Sequence, residues 1–421
     1  MNVLNLTPVA LPFALSMAVA VLLHTSSTRA DVAWVVPAMW AWSVLGIGYV
    51  HRFRDRLPGL WPLLTVALMM RLTLVGTPLH LSDDLYRYLF EGLALGHGYS
   101  PFEHAPADLA YLAPDLSGRV NHPHISSAYP PLALAWFRLL DMLGGATWTA
   151  QLATALVDVG TVAILATCTP AGRTGAWLYA LHPLAVIESG AGAHIDVIGV
   201  AALTIGLAAA RRLGSHGEWL GIWLGAGTKL LPVVLIPWML RTRPWKTNLA
   251  WLAVGPVALF SLTLLMVSLS GSLLDGLGAY AEHWSFNGFL FPWLFPVLGS
   301  ATRPLLLLGA GIALLLAAVR VRELPRFWLV ASLVFLLSSP TVHPWYGLWV
   351  LAPVAWTSRL DLAWIPTSLL GSYAVLSTWN AATASWTEPW WLWWLTWSPV
   401  VGALVASALR RTRPSQRLAS A

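Results

Sequence analysis

Between Ser82 and Gly92 the chain reads SDDLYRYLFEG. Wound as a helix, this segment places Asp84, Arg87, Tyr88 and Glu91 on one face, with Leu85 and Leu89 elsewhere. A carboxylate beside a guanidinium can stay ionised as a general base, or it can bind a cation. The plainer reading is a helix N-terminus whose acids complement the helix dipole. Asp83 and Asp84 together could hold Mg²⁺ or Mn²⁺, so the question of a divalent cation stays open.

Other polar groups recur at intervals. Asn121, His122 and His124 lead to Tyr129-Pro130-Pro131. Two His two residues apart suit a metal or an ordinary surface loop, and the Tyr-Pro-Pro element is rigid and extended. His194-Ile195-Asp196 follows Gly190 and Gly192 between two apolar runs. Ionisable residues at membrane depth are costly and point to function, although a solvated turn would also accept them. Lys229, in GAGTKLLP, is costly there unless it snorkels or meets an anion, and a phosphate is a natural partner. Glu282-His283-Trp284 and His343-Pro344-Trp345-Tyr346 mix polar groups with aromatics. Such mixtures suit sugars, and equally a membrane interface, where Trp and Tyr gather.

The elements that position these groups are membrane helices. The chain has 421 residues, 57% hydrophobic and only 10% charged, with mean hydropathy +0.67. A soluble domain carries about 25% charged residues. Apolar stretches of roughly 17–25 residues recur throughout, the pattern of a helical membrane protein and not of a β-barrel. The expected class is all-α and polytopic, with about 12–14 transmembrane helices as the order-of-magnitude count. It forms one membrane domain over residues 1–421, with a catalytic loop at 77–147 after the third helix. The expected spans are 8–24, 32–50, 59–76, 148–168, 175–191, 196–210, 218–228, 230–240, 248–269, 302–319, 327–338, 345–357, 362–378 and 391–409. Residues 131–142 read as a helix lying in the interface. The stretch 218–240 reads as a hairpin bent at 225–227. The first span lacks a basic leader and reads as a retained helix. Basic residues are spread over short loops, so the +6 charge does not imply nucleic acid as a partner. The single Cys168 rules out an intramolecular disulfide and a Cys-based metal cluster.

Orientation follows from the arginines. With both termini cytoplasmic, about 17 of the 24 Lys and Arg fall inside, in loops such as HRFRDR (51–56), RTRPWK (241–246) and the tail RRTRPSQR (410–417). That arrangement puts 77–147 on the outer face, together with 188–196, 275–287, His343 and Glu388. About 13 of the 18 acids then lie at the outer side. The expected location is the inner (plasma) membrane.

Several segments resemble the GT-C superfamily of membrane glycosyltransferases, and most of all glycosyltransferase family 87 and its polyprenyl-phosphate-mannose-dependent relatives. The resemblance is carried by DLYRYLFEG (84–92), GYSPFEHAPAD (98–108), NHP (121–123), YPP (129–131), HPL (182–184), AHIDVIGV (193–200), TKLLP (228–232) and HPWYGLW (343–349). Together they cover about residues 80 to 350. The resemblance implies a large outer loop with an essential acid, here Asp84, flanked by Asp83. Asp84 would deprotonate the acceptor hydroxyl, which attacks the sugar C1 with inversion while polyprenyl phosphate leaves. It implies a hexose, mannose before others, carried on polyprenyl phosphate, and a lipid or glycan acceptor. Lys229 is the first choice for a phosphate-binding cation, ahead of Arg87 and His343. The full set of candidate substrate-binding residues is Arg87, Tyr88, Glu91, His124, Tyr129, His194, Asp196, Lys229, His283 and His343. Two positions depart from the relatives: Ile195 and His182 stand where Asn is frequent. The rival reading is a transporter or lipid flippase, which calls for ionisable groups along a central path at the bilayer midplane.

Overall fold

Three helices precede the polar stretch: α1 (Ala10–Thr25), α2 (Val35–Phe53) and α3 (Leu60–Leu72). The computed structural model describes residues 9–267, 273–383 and 385–412. Residue 8 of the first expected span, residues 268–269 of the 248–269 span, and the basic tail from 413 onward lie outside the described residues.

The polar stretch itself holds α4 (Asp84–Gly96), α5 (Pro114–Ser117) and α6 (Pro131–Met142). α4 begins where Ser82 Oγ accepts the backbone N–H of Asp84 at 3.3 Å, satisfying one of the free donors of a helix start. Pro131 opens α6, where its missing N–H costs nothing. The two helices cross closely at Gly92, where any side chain would collide with the Phe137 carbonyl. Tyr88 then stacks on Phe137 with centroids 4.5 Å apart. Leu85, Leu89, Leu134 and Leu140 close the small core between them.

The remaining helices are α7 (Thr147–Cys168), α8 (Gly172–Leu181), α9 (Pro183–Gly190), α10 (Ile195–Leu213), α11 (Ser215–Ala226), α12 (Ile236–Thr242) and α13 (Trp245–Met266). They are followed by α14 (Asp275–His283), α15 (Phe291–Leu298), α16 (Thr302–Arg320), α17 (Leu324–Ser338), α18 (Leu348–Trp356), α19 (Trp364–Leu369) and α20 (Trp390–Thr412). Only isolated β-bridges occur among the described residues.

The protein is all-α and built to sit in a membrane. Five helical stretches are long and apolar enough to cross one: Asp31–Arg56, Thr147–Cys168, Trp245–Met266, Phe291–Arg320 and Trp390–Arg410. α9 and α10 form a further pair, bent by 115° at the break between them. Four apolar helical stretches are shorter, among them α1, α3 and α17. α13 and α16 present Val257, Leu265, Leu307 and Val319 outward, as lipid-facing helices do.

Several expected spans are broken rather than continuous. Pro183 splits 175–191 into α8 and α9. The stretch 230–240 becomes a 3-10 turn at Leu231–Leu235 followed by α12, with Pro232 and Pro237 at the two starts. The stretch 362–378 becomes α19 followed by a 3-10 segment, Leu370–Thr378. Proline removes an N–H and disturbs the preceding turn, so an apolar run containing it need not be one straight helix. The expected interfacial helix 131–142 coincides with α6.

One ion pair is wholly buried among the helices. Arg71 donates to Asp158 Oδ2 through Nε at 2.8 Å and Nη2 at 2.6 Å, and Tyr179 donates to Asp158 Oδ1 at 2.7 Å. It joins α3, α7 and α8. Arg71 has no assigned role in the sequence reading, and the structure gives it this one.

Candidate active site

Asp84 sits at the first turn of α4, half-buried at the wall of a cavity of about 1190 Å³. Asn121 bridges the two acids: its side-chain N–H groups donate to Asp83 Oδ1 and to Asp84 Oδ1, each at 2.9 Å. Asp83 is further held by Arg29 at 3.0 Å, which comes from the connection between α1 and α2. Burial pushes the Asp84 carboxyl above the usual carboxylate range. The negative charge of Asp83 adds to this, while His194 and the Asn121 bond oppose it. A half-buried carboxylate with one hydrogen-bond donor and a raised pKa is a better proton acceptor than an exposed Asp.

Arg87 is tied down. Nε donates to Asn121 Oδ1, Nη1 to Ile125 O and Glu91 Oε1, and Nη2 to the carbonyls of Asn121 and His122. All five guanidinium donors are thus used within the chain. Arg87 touches the cavity, but its geometry is that of a clamp on the 121–125 loop. Glu91 lies deeper, outside the cavity lining, and accepts from Arg87 and from Ser127 Oγ at 2.8 Å. Tyr88 and Tyr129 reach the cavity, their rings edge to face at 5.3 Å.

A second part of the cavity is built from the turn after α11 and the start of α10. Lys229 Nζ donates to both oxygens of Asp196, at 2.8 and 2.7 Å, and lies over the Tyr346 ring at 4.1 Å. Asp196 is buried and also accepts from Trp349 Nε1 at 2.7 Å. Asp196 therefore does not line the cavity; it holds the lysine that does. Tyr280 and Tyr346 join their hydroxyls at 2.7 Å beside it, and burial pushes the Tyr280 phenol up to about 12. His343 lies in the lining, stacked between Phe286 at 5.2 Å and Trp345 at 4.4 Å. Burial, with Lys229 and His194 adding to it, lowers its pKa to about 3. It is a neutral imidazole, able to hydrogen-bond but not to supply positive charge.

His283 lines the cavity from α14 and is exposed. His124 is exposed and absent from the lining; its neighbour His122 takes that place, its ring 4.4 Å from Trp284. His194 is fully buried behind Trp345 and does not reach the cavity. His182, a departure from the expected Asn, does what Asn does at a helix start: its Nδ1 accepts the N–H of Leu184 at 3.2 Å, capping α9.

Sequence reasoning did not select Arg29, Asn121, Tyr280 or Tyr346 as site residues. Arg29 carries no local signal, since it lies in a short connection over 50 residues before Asp83. Asn121 was visible inside the NHP motif, but its bridge between two acids is a tertiary fact. Among the described residues no group of three or more His, Cys, Asp or Glu is arranged to hold a metal ion. The Asp83–Asp84 pair meets the Asn121 amide N–H and, at Asp83, the Arg29 guanidinium.

Residues 8–243, more than half of the chain, match the model of a protein family described as alpha-(1->6)-mannopyranosyltransferase, N-terminal domain. No curated protein and no solved structure matches the chain.

Proposed function

Because the chain belongs to the alpha-(1->6)-mannopyranosyltransferase family, a family of GT-C mannosyltransferases, we propose that it takes mannose from a polyprenyl-phosphate donor. The acceptor is a lipid or glycan hydroxyl, and transfer occurs at the outer face of the inner membrane. The observation that carries this reading is that Asp84 and Lys229 line one cavity, each delivered by a different part of the chain. Displacement at the sugar C1 needs a base on the acceptor side and a cation near the leaving phosphate.

In this mechanism Asp84 takes the proton from the acceptor hydroxyl. The acceptor oxygen attacks C1 from the face opposite the phosphate, the C1–O bond to the phosphate breaks, and the configuration inverts. Lys229, held in place by Asp196 and Tyr346, stabilises the charge gathering on the phosphate oxygen. Tyr88, Tyr129, His283 and neutral His343 offer aromatic faces and hydrogen bonds to the sugar. Arg87 and Glu91 keep the 121–127 segment, and so Asn121, in place. No step here uses a metal.

A lipid donor fits the arginine-derived orientation, because nucleotide sugars are cytoplasmic and the cavity residues fall on the other side. The chain also carries no Gly-rich phosphate loop. The test is transfer by purified protein in lipid vesicles, supplied in parallel with radiolabelled polyprenyl-phosphate-mannose and with a nucleotide-mannose. The expected result is product from the lipid donor only, one polyprenyl phosphate per mannose, and an anomeric configuration opposite to the donor's. Product from the nucleotide sugar, or retention of configuration, would contradict it.

A further inference from the structure

His194 sits at the bend between α9 and α10 with both ring nitrogens engaged. Nδ1 lies 2.7 Å from Glu188 Oε2, and Nε2 lies 3.1 Å from Ser82 Oγ. Tyr373 donates to the other Glu188 oxygen at 2.9 Å, and the imidazole stacks on Trp345 with centroids 4.0 Å apart. The local backbone is shaped for this. Any side chain on Gly192 would strike the His194 ring and crowd Glu188. Ala193 takes φ 49°, a strained value for a residue with a Cβ. The His194 N–H donates to the Glu188 carbonyl at 2.9 Å.

The proton positions follow from charge at the 2.7 Å ion-pair contact between Nδ1 and Glu188 Oε2. An ionised Glu188 only accepts, so the hydrogen belongs on Nδ1. The adjacent carboxylate favours the doubly protonated ring, whose Nε2–H then donates to Ser82 Oγ at 3.1 Å. The other lone pair of the Ser82 oxygen accepts the backbone N–H of Asp84 at 3.3 Å. The sequence reading placed His194 on substrate; in the structure its ring is fully buried against Trp345, outside the cavity lining.

We propose that Glu188, His194 and Ser82 form a positioning relay that fixes the first turn of α4 and thereby aims the Asp84 carboxylate into the cavity. This rests on the reading of Asp84 as the base. The relay ties the α9–α10 bend, which also presents Asp196 and so Lys229, to the start of α4. The base and the phosphate cation are thus set by one buried joint. The same three residue types can serve as nucleophile, base and orienter elsewhere. Here the Ser82 oxygen accepts from His194 Nε2 and from the Asp84 N–H, and a protonated imidazole cannot take the Ser82 hydrogen, so Ser82 orients and does not attack.

The experiment measures kcat and KM for donor and acceptor in membranes carrying equal protein. It compares wild type, Ser82→Ala, Ser82→Thr, Glu188→Gln and Asp84→Asn. Misplacing a reacting group by about 1 Å can cost about 100-fold in rate. The relay predicts that Ser82→Ala and Glu188→Gln lower kcat by about 10- to 100-fold with KM nearly unchanged, and that Ser82→Thr recovers most of the loss. Thermal midpoints close to wild type would separate this from unfolding. If Ser82→Ala fails to accumulate, Ser82→Thr and Glu188→Gln decide the matter by the same split. Wild-type kcat in Ser82→Ala beside an inactive Asp84→Asn would overturn the relay alone. A raised KM at intact kcat would place Ser82 on substrate and overturn it too, as would labelling of Ser82 by a fluorophosphonate. Full transfer by Asp84→Asn would instead remove the base on which the relay rests.

Discussion

Asn121 does more at this site than its neutral side chain suggests. It is the donor shared by Asp83 and Asp84, and its own carbonyl is held by Arg87. Burial raises the Asp84 pKa, and the Asn121 bond lowers it. A base works only when ionised, so transfer should fall as pH drops through the Asp84 pKa, at a higher pH than an exposed Asp would give. Asn121→Ala should move that acidic limb further up in pH, read from kcat/KM profiles; a limb that stays in place would show that another group titrates. Lys229→Ala should lower kcat by about 100-fold or more if the lysine stabilises the leaving phosphate. It also leaves Asp196 without its partner, so the double variant Lys229→Met, Asp196→Asn is the cleaner probe. That variant should fold and still not transfer. Asp84 and Lys229, which line the cavity, stand out in the sequence because charge is rare in so apolar a chain. The placements of Arg87, His124 and His194 are not legible there, because a side chain's partners depend on segments far away in sequence. Arg87 proved to be saturated by loop carbonyls, and His194 proved to lie behind the cavity wall.

At the scale of elements, α4 against α6 and α3 against α7 carry the site and its support. Gly92 lets α4 and α6 approach to backbone contact. Gly92→Leu should separate them and lower stability, by about 1–3 kcal/mol for overpacking or more, with transfer lost as well. The buried pair Arg71–Asp158 is a second joint. Removing one partner of a buried pair costs about 3–5 kcal/mol, so Asp158→Ala should strongly lower the melting midpoint in detergent. An apolar replacement of both, Arg71→Met with Asp158→Leu, should recover most of it, since transfer does not use this pair. No loss in Asp158→Ala would contradict the structural role. Helix positions were largely readable: 147–168, 131–142 and 302–320 lie within a residue of expectation. The breaks were not, because hydropathy measures how apolar a stretch is and not whether its prolines bend it. α14 and α15 were missed as helices for a related reason: short runs near polar loops give weak periodicity.

Across the whole molecule the cavity is assembled from segments spread between Arg29 and Glu388. Nothing local in the sequence shows that these meet; the arginine count only sorts them to one side. That sorting can be tested directly. In a Cys168→Ser background, Asp115→Cys should react with a membrane-impermeant maleimide in intact cells. Arg56→Cys should react only after the membrane is opened. The reverse pattern would invert the topology and bring the site to the cytoplasmic side, where nucleotide sugars are available. The resemblance carried by the segments from Asp84 to Trp349 and the family match over residues 8–243 agree on mannosyl transfer. Tyr280, His283, His343 and Tyr346 lie beyond that match yet complete the cavity around Lys229.

The measurement that bears most directly on the central claim is mannose transfer from radiolabelled polyprenyl-phosphate-mannose by wild type and by Asp84→Asn, at equal protein level, with a lipid extract as acceptor. The account predicts transfer by wild type and a loss of at least about 100-fold in Asp84→Asn, the scale of a missing general base. Transfer by Asp84→Asn at the wild-type rate would contradict it.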